Sequence, residues 1–377
     1  MIEIREATTK KEQKNFLNFP LEMYKNNPCF VPPLYSSEKK IFGKSYSYYD
    51  TCEAVYYNAY RDGVMAGRIS GILQRTSNKI RNQKRVRFTR FDCIDDVDTA
   101  RALFGAVEKW ALSKGMDTVC GPLGFSDLER EGLLIEGFDE LSTFEEQYNA
   151  EYYGRLIEEC GYNKEVDWIE SKIYPPKDTE SLDKMKDYIM KRYSLRFGEA
   201  KNINEFIKKY KNDFFRLLDE GYADIYGSVP FTESMKKEII SNFKLVCDTE
   251  HVAVILDKDN RAVCMGFCIP SISRAVQKSK GHLTPCAIVK ILKSVRRPEI
   301  IDLGLIAVDK EYLNRGISII FCAEIARMLK KPYTKYAETN LNLEDNHSIR
   351  NMWKRFEQIE HKKRRSYVKY IGENVNA

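Results

Sequence analysis

The chain lacks any long hydrophobic run and carries little net charge. Nowhere among its 377 residues do about 18 apolar residues follow one another, and the N-terminus, MIEIREATTKKEQ, contains no apolar signal core. These absences predict a cytoplasmic protein without a transmembrane segment. The 61 basic and 55 acidic side chains leave a net charge of only +6, which argues against nucleic acid as a partner.

Histidine is scarce, and the cysteines are scattered. The four histidines show no HxxxH or HExxH spacing and the ten cysteines form no CxxC pair, so we predict no metal site. Most cysteines lie in apolar runs, which indicates buried free thiols rather than disulfides. The sequence does have 43% hydrophobic and 12% aromatic residues, enough for a sizeable core, and its length suggests two domains.

The same order of elements is predicted twice, about 200 residues apart. Hairpins with turns at Asp62-Gly63 and at Asp259-Asn260 each follow an amphipathic helix and precede a strand and a long helix. This order predicts two copies of one mixed α/β unit. A polar, proline-containing break at residues 174–178 divides the chain into predicted domains of residues 1–176 and 177–377.

Residues 300–329, IIDLGLIAVDKEYLNRGISIIFCAEIARML, are the most informative stretch. An apolar strand ending at Val308 is followed by a turn with Arg315-Gly316 and then by an amphipathic helix. The N–H groups left unpaired at the start of a helix suit a phosphate or a pyrophosphate. An ordinary strand–helix connection, with glycine for close packing, explains this stretch equally well.

The residues that follow favour a phosphate-binding turn over an ordinary strand–helix connection. Residues 333–340 predict a strand, and LEDN at 343–346 precedes a helix with Asp345 as its N-cap. The order strand, xRGxS turn, helix, strand, LEDN, helix resembles the cofactor core of the GNAT (Gcn5-related N-acetyltransferase) superfamily. Arg315 and Gly316 match the pyrophosphate signature of that superfamily, whereas Leu313 and Ser318 depart from it.

Two further positions bear on this resemblance. Asn346 matches the asparagine that helps to hold pantetheine, and Trp353 replaces the tyrosine that often protonates the leaving thiolate. Blocks such as YRDGVMAGRISGIL, GPLGFSDLEREGLLIEGFDE and LLDEGYADIYGSVPFTE also resemble an uncharacterised bacterial family of two-domain GNAT-like proteins. This implies an α/β fold of two tandem GNAT-like domains with mixed, mostly antiparallel central sheets flanked by helices.

The N-terminal half differs at the corresponding turn. There the sequence reads CIDDVDTARALF, with three aspartates and no glycine. Negative charge would repel a pyrophosphate, so we predict that the N-terminal domain is degenerate and that Asp98 is a helix N-cap.

The resemblance implies an N-acyltransferase that transfers an acetyl or longer acyl group to a small-molecule or peptide amine. Acetyl-CoA or another acyl-CoA would be the donor, and no metal is required. The residues that would bind this donor all lie in the C-terminal domain: Ile306, Ala307, Val308, Asn314, Arg315, Gly316, Ile317, Ser318 and Asn346.

The catalytic candidates are two carboxylates and a tyrosine. Asp302 and Glu338 lie on the two strands predicted to flank the cleft, where either could accept a proton from the amine. Both could equally face solvent or pair with lysines. Tyr367 and Tyr370 alternate on the last strand, and Tyr367 is the candidate for the missing acid.

Two other functions stay open. The departures at Leu313, Ser318 and Trp353 would suit a CoA- or acyl-CoA-binding protein without catalysis. The basic runs RNQKRVRFTR and HKKRR would suit an aminoacyl-tRNA-dependent transferase, although such short runs are more typical of solvated edge strands.

Two further expectations concern residues 272–299 and the oligomeric state. The basic, amphipathic residues 272–299 interrupt the expected path between two strands. They either cap the acceptor site or pack on the sheet. The sequence is also compatible with a homodimer.

Overall fold

The computed structural model describes residues 1–372. Its N-terminal half contains the following elements: β1 (Ile2–Glu6), α1 (Lys10–Met23), α2 (Tyr35–Lys40), β2 (Cys52–Arg61), β3 (Val64–Gln74), α3 (Arg75–Arg81), β4 (Arg85–Cys93), α4 (Val97–Ser113), β5 (Thr118–Gly121), β6 (Leu133–Glu136), α5 (Tyr153–Glu159) and β7 (Asn163–Tyr174).

The C-terminal half repeats the order of the main elements but has two helices between β10 and β11, where the N-terminal half has only α3 between β3 and β4. Its elements are α6 (Thr179–Arg192), β8 (Arg196–Phe197), α7 (Ile203–Tyr222), α8 (Glu233–Val246), β9 (Val252–Leu256), β10 (Ala262–Pro270), α9 (Ser273–Lys278), α10 (Pro285–Arg296), β11 (Ile300–Val308), α11 (Ile317–Leu329), β12 (Tyr336–Thr339), β13 (Asn342–Leu343), α12 (His347–Trp353) and β14 (Glu357–Tyr370).

The strands form one sheet in the order β1-β2-β3-β4-β5-β14-β7-β12-β11-β10-β9-β8. Only β4 with β5 and β11 with β12 pair in parallel, and the other pairs are antiparallel. The predicted fold class, a mixed and mostly antiparallel sheet flanked by helices, is confirmed. No helix within residues 1–372 is long and apolar enough to cross a membrane.

The two halves exchange their last strands. β14, from the end of the chain, pairs with β5 of the N-terminal half, where Lys369 lies opposite Val119. β7 pairs with β12 of the C-terminal half, where Lys172 lies opposite Glu338. β14 and β7 also pair with each other, so the sheet is continuous across the predicted boundary at residue 176, and that boundary stays a prediction.

A glycine on the second strand of each hairpin allows a helix to pack closely on the sheet. A Cβ atom at Gly67 would lie 2.8 Å from the Leu103 side chain of α4, and one at Gly266 would lie 2.1 Å from the ring of Phe321 on α11. Both contacts are too short for any larger residue. The equivalent placement of these two glycines supports the interpretation of the halves as copies of one unit.

Candidate active site

A wedge opens in the sheet of the C-terminal half. β11 and β12 pair only as far as Leu303 and Thr339. Beyond this point β11 continues beside β10, with a register shift at Phe267/Cys268 that leaves Gly304 without a partner in β10. The open edge of β11 therefore faces the chain that follows β12. This wedge belongs to a cavity of about 920 Å³ to which both halves contribute.

The predicted donor-binding strand lies in the wall of this cavity, which includes Ile306, Ala307 and Val308. The N–H of Asp309 donates to the Val263 carbonyl oxygen, towards β10 (2.8 Å). Because peptide groups alternate between the two edges of a strand, those of Ile306 and Val308 face the wedge. The hydroxyl of Tyr222, at the end of α7, donates to the Ile306 carbonyl oxygen there (3.2 Å).

The turn before α11 has the backbone geometry of an anion-binding site. Asn314 and Gly316 both adopt left-handed conformations, with φ of 62° and 78°. The N–H groups of Ile317 and Ser318 begin the helix, so they have no partner one turn earlier. Leu313 and Ser318 lie in the cavity wall, whereas Arg315 and Gly316 lie beside it.

Contacts on the outer side of the turn account for the placement of these last two residues. The Arg315 guanidinium lies 4.7 Å from the Tyr312 ring centroid and 5.5 Å from that of Tyr193. A Cβ atom at Gly316 would lie 3.0 Å from the Ile189 side chain of α6. Gly316 therefore serves close packing and the left-handed turn at once.

Asn346 and Trp353 both line the cavity and make local hydrogen bonds. The prediction that Asp345 caps α12 is wrong, because the Asn346 side chain accepts the Ile349 N–H (3.2 Å) and makes Asn346 the N-cap. The Trp353 ring N–H donates to the Asn342 side-chain oxygen (2.7 Å). Trp353 thus carries no acidic group at the place where the superfamily often has tyrosine.

Asp302 and Glu338 are brought together. They lie opposite each other on the parallel strands β11 and β12, both are buried, and both line the cavity. Burial, reinforced by the negative charge of Glu338, raises the pKa of Asp302 well above its usual value. Asp302 Oδ1 has no hydrogen-bond partner within residues 1–372. One oxygen of this carboxyl group, which lies where the wedge begins, is therefore without a partner, and burial favours the protonated form of the group.

Glu338 is ionised because it belongs to a buried chain of ion pairs. Burial alone would raise the pKa of Glu338, but the ammonium of Lys362 and the His361 ring, whose Nε2 lies 3.1 Å from Glu338 Oε1, outweigh it and lower that pKa. Lys362 pairs with both Glu338 and Glu170, and Arg364 pairs with Glu170 (2.6 Å). The chain crosses β12, β7 and β14, so the exchanged strands supply the charges that hold Glu338 ionised.

Tyr367 and Tyr370 do not lie at this site. Tyr367 is buried in the core of the N-terminal half, where its hydroxyl is 3.4 Å from Glu158, and Tyr370 is exposed. Neither residue lines the cavity. The exchange of β14 explains this placement, because these tyrosines lie on the part of the strand that pairs with β5.

In the N-terminal half, the equivalent wedge is closed by side chains. The hydroxyl of Tyr153 accepts the N–H of Cys93, the last residue of β4, and the hydroxyl of Tyr152 donates to its carbonyl oxygen (2.9 and 2.8 Å). The side chain of Asp96 also caps α4 by accepting the Thr99 N–H (3.0 Å).

The structure bears on two predictions about the N-terminal half: that Asp98 is a helix N-cap and that the domain is degenerate. Asp98 is not the N-cap, since Asp96 fills that position and Asp98 is exposed and paired with Arg101. A capping carboxylate and two hydroxyls thus occupy the turn and the wedge of the N-terminal half.

An acidic wall, which the sequence patterns did not reveal, faces the wedge from the N-terminal half. Asp127, Glu131 and Glu146 line the cavity, and each has one buried carboxylate oxygen without a hydrogen-bond partner within residues 1–372. Burial raises the pKa of Asp127 to about 6 and that of Glu131 and Glu146 well above the usual value. Such groups gain most from a cationic or hydrogen-bonding ligand.

The sequence contained the segment that forms part of this wall but did not show which of its side chains line the cavity. Asp127 and Glu131 belong to the block GPLGFSDLEREGLLIEGFDE, in which Glu136 and Asp139 are exposed. Spacing within a loop does not indicate which side chains turn inward.

The basic side chains of the two runs, RNQKRVRFTR and HKKRR, mostly form ion pairs within the protein. Arg90 forms a bidentate pair with Glu38 (2.9 and 3.1 Å), and Arg85 pairs with Glu165 (2.5 Å). Lys362 and Arg364 are fully buried. These cations are therefore not available to bind the phosphates of a nucleic acid.

Comparisons with known proteins agree with this architecture. No family model matches the chain. It is similar to protein YghO of Escherichia coli, with 25% identity over 98% of this chain and 95% of that protein. It is also similar to the bacterial ceramide synthase of Caulobacter vibrioides, with 25% identity over 75% of this chain and 74% of that protein.

Solved structures match the whole described fold. A tandem GNAT protein from the clavulanic acid biosynthesis pathway superposes with a TM-score of 0.57 at 11% identity, covering 99% of this chain and all of that one. The GCN5-related glucosamine N-acetyltransferase region of a fungal β-N-acetylglucosaminidase gives a TM-score of 0.55 at 10% identity, covering 98% of this chain and 38% of that one. The resemblance to the GNAT superfamily is thus confirmed at the level of the fold, which is that of a tandem GNAT protein.

Proposed function

We propose that this protein is an acyl-CoA-dependent N-acyltransferase with one active site, in the C-terminal half. The observation that carries the proposal is the difference between the two wedges. The wedge beside β11 is open, and where it begins lies Asp302, a buried carboxyl group with one oxygen that has no hydrogen-bond partner within residues 1–372. The wedge beside β4 is closed by Tyr152 and Tyr153.

The residues around the open wedge fit an acyl-CoA donor. The turn at Asn314–Ser318 would hold the diphosphate through backbone N–H groups and the helix dipole. The peptide groups of Ile306 and Val308 would hold the pantetheine and face the thioester oxygen. Bound acyl-CoA supplies an acyl group activated as a thioester, so that the amide C–N bond forms as the C–S bond breaks.

Asp302 is the residue we propose as the general base. An amine reaches the site mostly as an ammonium ion and must lose a proton before it can attack. The ionised form of Asp302 accepts that proton, and because burial raises the pKa of this group, its carboxylate binds a proton more tightly than an ordinary carboxylate does. Glu338 stays ionised beside it and keeps its basicity high.

The acceptor we propose is a primary amine with a long hydrocarbon chain. The acidic wall of Asp127, Glu131 and Glu146 suits an ammonium ion and neighbouring hydroxyl groups. Beside it, the cavity wall between α7, α8 and β10 is apolar, with Phe214, Phe243, Phe267 and Val252. The similarity to a bacterial ceramide synthase supports the same class, because a ceramide is the amide of a long-chain amino alcohol.

A thiol-release assay tests this function. The full chain is mixed with acetyl-CoA or a long-chain acyl-CoA and, in turn, a short amine, a peptide and a long-chain amino alcohol. We expect thiol release and amide formation to be fastest with the long-chain amino alcohol. No release from any acceptor, together with normal CoA binding, would contradict the proposal.

That outcome would favour the second candidate, an acyl-CoA-binding protein without catalysis. Trp353 is the observation behind it, because its ring N–H is engaged with Asn342 and cannot protonate a thiolate. A cytoplasmic location, where acyl-CoA is made, belongs to either proposal. A homodimer stays a prediction.

Changing Ser318 to aspartate should weaken CoA binding at least about tenfold, because the new charge would face the diphosphate in a partly dry site. The folded protein should be no less stable, since an acidic residue in the first turn of α11 interacts favourably with the helix dipole. Calorimetric titration with CoA and thermal unfolding measure the two effects. Ser318→Asn is the uncharged control, and equal affinities of the two variants would refute the placement of the diphosphate.

We propose the Tyr222 hydroxyl as the acid that protonates the leaving thiolate, so Tyr222→Phe should lower kcat about tenfold without changing KM. Its hydroxyl lies on the carbonyl oxygen of Ile306, beside the proposed thioester, and burial keeps it protonated by raising its pKa. The loss is modest because a thiol with a pKa of about 8.5 leaves without much help. Tyr226→Phe is the matched control, since that hydroxyl bonds Glu165 instead. Equal kcat values for both variants would exclude Tyr222 as the acid.

A further inference from the structure

Helix α10 lies in the segment inserted between β10 and β11 and has one buried face. Ala287 and Ile291 are buried, and Ile291 packs in a cluster with Leu34 and Val246. Leu34 and Val246 also line the cavity. The insertion therefore packs on the molecule one layer away from the proposed acyl-transfer site.

The opposite face of α10 is apolar and uncovered. Ile288, Val289 and Leu292 are 40%, 67% and 47% exposed, and Leu283 just before the helix is 38% exposed. At 100° per residue, the three helical side chains span about 100° of the helix surface, so they form one ridge. Four of the fourteen large apolar side chains exposed in residues 1–372 thus lie within ten residues.

The same segment is strongly and exclusively basic. No aspartate or glutamate occurs in residues 271–298, whereas seven lysine and arginine side chains do: Arg274, Lys278, Lys280, Lys290, Lys293, Arg296 and Arg297. All seven residues are exposed. None of them pairs with a carboxylate in the part of the chain described, although ion pairs are frequent elsewhere on this molecule.

We propose that α10 docks on the surface of an anionic phospholipid bilayer. An apolar ridge beside unpaired cations is the pattern of a helix that lies in the membrane interface, with its apolar side chains among the headgroups. The cations would then meet the negative charge that is missing around them in the protein. A soluble acidic partner would pair with the cations but would leave the apolar ridge exposed to water.

The position of the helix gives the docking a use. The apolar part of the cavity, lined by Val246 and Leu34, lies directly beneath α10. A bilayer against the outer face would bring an amine or acyl chain dissolved in it close to the cavity. This use rests on the proposed function, whereas the docking itself does not.

Vesicle flotation with the full chain, without any acyl donor, tests the docking. We expect binding to vesicles of phosphatidylcholine with phosphatidylglycerol to be at least about tenfold stronger than to phosphatidylcholine alone, and to weaken as salt is added. Lys290→Glu/Lys293→Glu should reduce it at least about tenfold. Lys10→Glu/Lys11→Glu, on exposed lysines at the start of α1, is the charge-matched control and should bind normally.

The apolar contribution is tested separately. Val289→Asp/Leu292→Asp should abolish binding, while Leu112→Asp, at an exposed apolar position of α4, should not. The α10 variants should still release thiol with a water-soluble amine. This assay therefore distinguishes a loss of vesicle binding from a failure of the proposed function. Absence of vesicle binding, equal binding by all variants, or conversion of a dimer to a monomer by Val289→Asp/Leu292→Asp would overturn the proposal.

Discussion

Replacing Asp302 with asparagine should lower kcat at least about 100-fold and leave the affinity for CoA unchanged. Asparagine has the shape of aspartate but cannot accept the proton of the ammonium ion, and positioned general bases typically contribute 10²–10⁴-fold. CoA should bind normally because the turn at Asn314–Ser318 does not include this residue. Thiol release measures kcat, and calorimetric titration measures the affinity.

The stability of this variant should not fall, which makes the loss of activity interpretable. Asp302 is buried with one unpaired oxygen, so a neutral side chain removes a costly group rather than a useful contact. Asp98→Asn, at an exposed position on α4, is the control for the same chemical change. Turnover within about twofold of the parent would remove Asp302 from the mechanism.

Replacing Lys362 with methionine should lower the free energy of unfolding by about 3–5 kcal/mol. Lys362 is fully buried between Glu170 and Glu338, so its removal leaves buried negative charge without compensation. Lys335→Met is the control, because Lys335 pairs with Glu299 at the surface and such pairs contribute less than about 1 kcal/mol. Urea unfolding measures both variants.

A double variant shows whether charge or packing is responsible. Lys362→Met/Glu338→Gln removes the cation and one of its partners together, so it should recover part of the lost stability. If the double variant is as unstable as Lys362→Met or less stable, the loss comes from packing and not from unpaired charge.

The ion pairs also make the free energy of unfolding depend on pH in the acid range. Although burial raises it, the charges of Arg364 and Lys362 lower the pKa of Glu170 to about 2. A depressed carboxyl pKa stabilises the fold above the unfolded pKa of about 4.5, and this stability is lost as the pH falls towards 2. We expect Lys362→Met to lose less stability over that range than the parent protein.

Local patterns predicted the elements of this fold well because each depends on neighbouring residues. The turns at Asp62-Gly63 and Asn260 adopt the left-handed conformations that such residues favour, and the strands and long helices occur where the periodicity placed them. Asp302 and Glu338 meet because parallel strands in a GNAT-like order bring them opposite each other.

The rest depends on contacts between distant residues. Nothing in the sequence near Tyr367 indicates that its strand pairs with β5, about 250 residues earlier. The acidic wall likewise requires knowing which side chains of a long loop point inward, and the tyrosines that close the N-terminal wedge require knowing what lies beside Cys93. In both cases the sequence identified the right segment but not the direction of its side chains.

The position of β14 constrains how the protein can be made. The ribosome completes β1 to β5 early, but the strand that must lie beside β5 is synthesised only about 250 residues later. Until β14 has left the ribosome, the nascent N-terminal half keeps an unpaired edge strand, which is a hazard for aggregation. A stop codon shortly before residue 357 would therefore damage both halves, although it removes only the tail of one.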